Sequence, residues 1–268
     1  MRTTTRPAFS LVELMVVIGV IALILAIALP ALGGARASAK QTLALTNLRS
    51  TQQLFEQYAA DNGRYPFRAA GEQPAGLDEP VEPDVVTYRW YPEGVVLATS
   101  NHFDIATLWP AIVVELEDWP AIAETWVSPG REFELPEIED LMNGVEIDPG
   151  EMFSIVYSNS FVARPNLWTP ERGDTIDRLA ELRPTRPSEV RAPAGKVMLW
   201  DRHLAYLKTE PERVDGHYRE RTPMAFADGH GALHDPTEAS PGVANPLNGG
   251  DETTLHNTRE GVYGIDYD

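Results

Sequence analysis

Pro7-Ala8-Phe9-Ser10-Leu11-Val12-Glu13-Leu14 opens an apolar run that continues as MVVIGVIALILAIALPAL to Leu32, with Glu13 as its only charge. Read as a helix rising about 1.5 Å per residue, Leu11 to Leu32 covers roughly 33 Å, enough for a hydrocarbon core of about 30 Å. The stretch is therefore a membrane-spanning candidate. A carboxylate inside such a run costs about 2.5–3.5 kcal/mol on insertion scales, so Glu13 marks a functional position that needs a partner. The cations just before it are Arg2 and Arg6.

The basic residues 1–8, then Phe9-Ser10-Leu11-Val12-Glu13-Leu14, then an apolar helix interrupted at Pro30, resemble the N-terminus of type IV pilins and type II secretion pseudopilins. The resemblance implies a prepilin leader over residues 1–8, cut between Ala8 and Phe9 by a membrane-bound prepilin peptidase. It further implies N-methylation of Phe9. Glu13 would be the filament-assembly residue, meeting the terminal amine of a neighbouring subunit, and Pro30 the helix kink. The family usually carries Gly before the cut, where this chain has Ala8. Elementary electrostatics runs parallel. Cutting at Phe9 would place a cationic amine about one helical turn from Glu13, and pairing between subunits would offset the desolvation of both charges.

Two plainer readings stay beside this one. A secretory signal peptide has a cleavage form in Ala35-Arg36-Ala37 before Ser38, but its apolar core runs 7–15 residues and this one is longer. A simple membrane anchor leaves Glu13 without a purpose. A lipoprotein is excluded, since the chain has no cysteine. Charges flank the span almost evenly, Arg2 and Arg6 before it and Arg36 and Lys40 after it, so the positive-inside rule does not orient it. The resemblance does: a single pass through a bacterial inner membrane, with the C-terminal part outside the cytoplasm, periplasmic or extracellular in a filament.

Composition bounds the remainder. The 268 residues carry a formal net charge of -18. Residues 1–60 hold Arg2, Arg6, Arg36, Lys40 and Arg49 against Glu13 and Glu56, a surplus of three positive charges, so the rest is more acidic than the total. Such a surface repels nucleic acid and anionic lipid, and no nucleic-acid partner is expected. With cysteine absent, packing must hold the fold, or an ion.

The segment from Ala35 to Ala60 is rich in helix formers, with Leu45, Leu48, Phe55 and Ala59 at helical spacing. One helix is expected over residues 9–62, transmembrane over 9–32, with a kink or local melting at Pro30 and Gly33-Gly34. Asp61-Asn62-Gly63 signals its end. Asn62-Gly63-Arg64-Tyr65-Pro66 also resembles the helix-to-globule junction of secretion pseudopilins.

Beyond it, Val85 to Tyr91, Ile155 to Tyr157, Ser160 to Val162, Lys196 to Trp200 and Met224 to Ala227 read as strands, and Ile105 to Glu117 as a helix. The expected fold is α+β: the long N-terminal helix, then a globular domain with an antiparallel sheet over 63–235. Residues 67–84 and 165–195 read as loops, and 236–268, poor in apolar residues, as a surface tail.

Phe226-Ala227-Asp228-Gly229-His230-Gly231-Ala232-Leu233-His234 places Asp-Gly between alternating segments, a strong hairpin signal. With Lys196-Val197-Met198-Leu199-Trp200-Asp201, it resembles the C-terminal part of a group of prepilin-type proteins marked by His, nine residues, then Asp-Gly. His217 stands one position further away than that pattern asks, and Trp126-Val127-Ser128-Pro129 has Ser128 where that group has Cys. Asp201, His203, Asp215, His217, Asp228, His230 and His234 offer metal-binding side chains, with Asp201, His217, Asp228 and His230 the best placed. Their spacing matches no familiar ligand motif, and a turn explains Asp228-Gly229 by backbone geometry alone. If an ion binds, calcium suits oxygen ligands outside the cell better than zinc. No hydrolase, phosphate-loop or dinucleotide motif is present, so no enzymatic activity is expected. The reading is a structural subunit of a pilus-like or secretion filament, with prepilin peptidase, other pilin or pseudopilin subunits and the inner membrane as partners. The alternative is a membrane-tethered binding or metal-dependent hydrolytic domain that keeps a prepilin-like anchor.

Overall fold

The computed structural model describes residues 11–90, 95–99, 102–113, 120–132, 153–169, 181–207, 209, 211–214, 217–247 and 253–268. Helix α1 runs from Leu11 to Asn62. It passes Pro30 and Gly33-Gly34 without an interruption, so the local melting expected there does not occur. Proline removes one hydrogen bond from a helix interior. The long apolar turns on either side keep theirs, as any segment in lipid must. The helix ends as its sequence signals: Gly63 takes φ +68° and its N–H donates to Ala59 O at 2.8 Å, a left-handed cap.

The chain divides into two compact units, residues 1–40 and 41–268, so the last six turns of α1 belong to the globular part rather than ahead of it. Their buried face is Ala44, Leu48, Thr51, Gln52, Phe55 and Ala59. Phe55 meets Trp109 and Tyr157 edge-on, with ring centroids 5.2 and 4.9 Å away. Trp109 continues to Trp126 at 5.3 Å, and Trp126 to Phe153 at 5.6 Å. Each such pair adds about 0.5–1.5 kcal/mol beyond its burial. The core of this cysteine-free domain is thus an aromatic chain roofed by α1.

Strands β1 (Val86–Trp90) and β2 (Val95–Thr99) form an antiparallel pair. Two single-turn helices follow, α2 (Ile105–Leu108) and α3 (Pro110–Val113), where one continuous helix was expected. Pro110 has no N–H to carry the hydrogen-bond ladder across, so the chain restarts there. Helix α4 is Pro120–Ala123. Strands β3 (Ile155–Tyr157) and β4 (Val197–Asp201) come next, then the small pair β5 (Arg213–Val214) and β6 (His217–Tyr218), then β7 (Thr222–Phe226) and β8 (Gly231–His234). The main sheet has the order β3-β4-β7-β8 and is antiparallel throughout, as expected for an α+β domain. Central strand β4 is buried along its whole length. Where residues 160–162 were expected as a strand, the chain instead forms a 3₁₀ turn over Asn159–Phe161. Ser158 ends β3 there, its Oγ accepting from Ser160 N at 3.4 Å.

Polar groups fasten α1 to the β7–β8 hairpin. Gln52 Nε2 donates to Phe226 O, Arg49 Nη2 to Gly231 O at 3.0 Å, and Gln41 Nε2 to Arg221 O at 3.2 Å.

The C-terminal stretch 236–268 is not the surface tail expected. Leu255, Val262 and Asp266 are fully buried. Asp266 accepts from Lys196 Nζ at 3.0 Å, from Val197 N at 2.9 Å and from Thr258 Oγ1 at 2.6 Å, and Lys196 Nζ also reaches Thr258 Oγ1. Backbone bonds from Asp266 N and Tyr267 N to Gly195 O complete the attachment. Few apolar residues are needed there, because one buried ion pair and its hydrogen bonds dock the segment on the start of β4.

Candidate functional site: the exposed helix and the distal motifs

Every residue from Leu11 to Leu32 is exposed in the isolated chain, and fifteen of them are large apolar side chains. A helix apolar on all sides has a place in lipid or among other helices, not in water. Leaving one such side chain in water costs about 1.5–3 kcal/mol, so the set amounts to tens of kcal/mol. This is the one described helix long and apolar enough to cross a membrane. Glu13 lies in its first turn, where the positive end of the helix dipole favours a carboxylate by about 0.3–1 kcal/mol. Ala8 and Phe9 lie outside the described residues.

The distal motifs resolve into structure. Asp228-Gly229 is the β7–β8 turn: Gly229 has φ +94°, and its N–H donates to Phe226 O at 3.0 Å. Asp228 Oδ1 accepts from His230 N at 3.0 Å and faces His230 Nδ1 at 2.6 Å. His230 stacks on Phe226 with centroids 4.3 Å apart. Partial burial raises the Asp228 carboxyl, but the backbone and side-chain hydrogen bonds from His230, with its electrostatic attraction, together outweigh it and hold the carboxyl below its usual range. Everything about this turn is accounted for by backbone geometry and local bonding.

Asp201 closes β4 and organises the next turn. Its Oδ2 accepts from Ser128 Oγ at 2.7 Å, and its Oδ1 from His203 N at 3.0 Å and Leu204 N at 3.3 Å. Ser128 Oγ accepts in turn from Ala205 N at 2.9 Å. The Trp126-Val127-Ser128-Pro129 and Lys196-to-Asp201 motifs, 73 positions apart at their contact, therefore meet. Beside them, His203 Nδ1 lies 3.0 Å from Arg131 Nη1 and 2.9 Å from Ser154 Oγ. A ring nitrogen that receives a guanidinium proton stays unprotonated. Burial and the Arg131 charge lower the pKa of His203 to about 3. Ser154 and Arg131 carried no signal in the sequence, because neither sits in a motif and their partners are far along the chain.

His217 is buried, and its Nε2 donates to Thr254 O at 2.7 Å. The structure brings it to the same cavity as Asp201 and leaves Asp228 and His230 on the exposed hairpin turn. Asp215 lies outside the described residues. Among the described residues, no three His, Asp or Glu side chains are grouped to hold a metal ion. Compared with known proteins, the chain matches no family model, no curated protein and no solved structure. Among the described residues, the feature left without a covering partner is the apolar surface of α1 over residues 11–32.

Proposed function

We propose that this protein is a filament subunit of the type IV pilus or type II secretion pseudopilus kind, anchored by α1 in a bacterial inner membrane before assembly. The observation that supports this most is a helix apolar on every side, wholly exposed over Leu11–Leu32, with a single carboxylate in its first turn. In lipid that surface is satisfied, and among neighbouring helices of a filament core it is satisfied again. Glu13 is the element a plain anchor does not need. Cleavage by prepilin peptidase between Ala8 and Phe9 would create the amine that pairs with it on an adjacent subunit. The acidic domain would face outward, its hairpin turn and docked C-terminus serving as scaffold rather than catalytic machinery. Pilus and secretion pseudopilus are equally compatible with this arrangement.

Glu13→Ala tests the reading. The variant should still insert and be cleaved, since it removes a charge from the membrane, but should enter filaments poorly. Sheared filament fractions, from a strain with no wild-type copy, are the measurement. Equal recovery of variant and wild type would overturn the assembly role of Glu13.

A further inference from the structure

Between β4, the β5–β6 pair and the C-terminal segment lies a cavity of about 180 Å³. The charged, imidazole and indole side chains lining it are Trp200, Asp201, Arg202, Arg213, His217 and His256, with Tyr218 beside them. In a domain this acidic, a cavity carrying two guanidiniums and two imidazoles is an exception. The one carboxylate among the described residues of its wall is already committed, because both oxygens of Asp201 receive hydrogen bonds from Ser128 and the following turn. Its charge is turned into the scaffold rather than toward the arginines.

The cationic groups are held in place. Arg213 donates from Nη2 to Tyr218 Oη at 2.6 Å, and its guanidinium lies 4.5 Å over the Tyr218 ring. His217 is fixed by Thr254 O, and Trp200 packs edge-on against His217 and His256 at 5.8 and 4.6 Å. Two groups have no partner among the described residues. His256 Nδ1 is shielded from solvent and has no hydrogen-bond partner. No hydrogen bond or ion pair joins the Arg202 guanidinium to another of the described residues. Leaving a polar atom such as His256 Nδ1 unpaired and shielded from water costs about 1–3 kcal/mol, which points to a ligand, while the half-buried Arg202 supplies an uncommitted cation beside it. Val156 and Ala106 supply apolar wall beside them. A metal cation is disfavoured by the two arginines, and the volume exceeds that of several waters at about 30 Å³ each.

We propose that this cavity binds a small anion through a carboxylate or phosphate head, gripped by Arg202 and Arg213 with His256 Nδ1 as a further contact. Guanidinium forks match both heads bidentately, which is why the two chemistries are taken together. Burial, with the charges of His217 and Arg202 behind it, holds the pKa of His256 well below its ordinary value, and a bound anion would relieve that. The site does not depend on the filament reading, since it lies wholly in residues 41–268.

The test is calorimetric titration of the full chain in detergent with inorganic phosphate and, separately, with succinate, against sodium chloride of matched ionic strength. At least one anion should bind saturably, with a Kd below about 1 mM. Arg202→Gln and Arg213→Gln should each weaken it about tenfold or more while melting as the wild type does without ligand. Arg219→Gln, which removes an exposed guanidinium paired with Glu212 outside the cavity, should bind normally. Preference between phosphate and succinate assigns the head group. Absence of saturable binding by both anions, or equal weakening by Arg219→Gln, would overturn the proposal.

Discussion

Replacing Asp266 with Ala removes the anchor of the C-terminal segment. Asp266 and Lys196 have no solvent exposure at their side chains, and the carboxylate accepts three hydrogen bonds, from Lys196, Val197 and Thr258. Counted singly at about 1.5–3 kcal/mol for bonds to a charged group, the three would exceed what one truncation costs, because they share one acceptor and are not additive. The better guide is the breaking of a buried pair, about 3–5 kcal/mol, most of it the stranding of the surviving charge. Here the stranded charge is Lys196, whose pKa burial pulls down while Asp266 pulls it up. For a unit of this size about 1 kcal/mol moves the melting temperature by 2–4 °C, so Asp266→Ala should lower it by about 6–20 °C. Near-ultraviolet circular dichroism of the full chain in detergent follows the melt. The double variant Lys196→Met with Asp266→Leu should recover most of the loss, since an apolar pair of similar volume leaves no buried charge. A fall of less than about 2 °C for Asp266→Ala would show that the C-terminal stretch is not fastened as described.

Two further outcomes follow from the same packing. Gly229→Val should destabilise by about 1–3 kcal/mol through backbone strain alone, because no atom lies within 4 Å of the added Cβ while φ is +94°; a melt matching wild type would contradict the turn. Acidification should also weaken the domain through His203. Its folded pKa of about 3 is below the unfolded value of about 6.5, so the unfolded chain takes up the proton first. Stability is then full above pH 6.5 and declines as pH falls toward 3. Discounted for partial exposure, the loss between pH 7.5 and 5 is about 1 kcal/mol, and His203→Gln should flatten that part of the profile.

The long helix, its capped end, the central strands and the Asp-Gly hairpin were all readable from the sequence, because each rests on local chemistry: an apolar run, Gly63 and Gly229 at left-handed positions, alternation on both sides of a turn. What was not readable rests on distance. Gln52 looks like a surface helix residue, yet it is buried against a carbonyl 174 positions away. The C-terminal segment looks mobile by composition, since its attachment is a lysine and an aspartate 70 positions apart, not an apolar stripe. Pro110 divides the helix expected from Ile105 onward, because its ring nitrogen carries no N–H to continue the ladder. In the distal constellation, Ser128 and Asp201 were singled out separately, and their bond appears only in three dimensions. Glu13 was the clearest functional signal, because a charge in an apolar run needs no tertiary context to stand out.

The filament reading is tested at its root by the mass of the N-terminal peptide of the mature protein recovered from envelope fractions. It should begin at Phe9 and carry one added methyl on the amine. A chain that starts at Ser38, or one that keeps Met1 and the residues through Ala8, would contradict it.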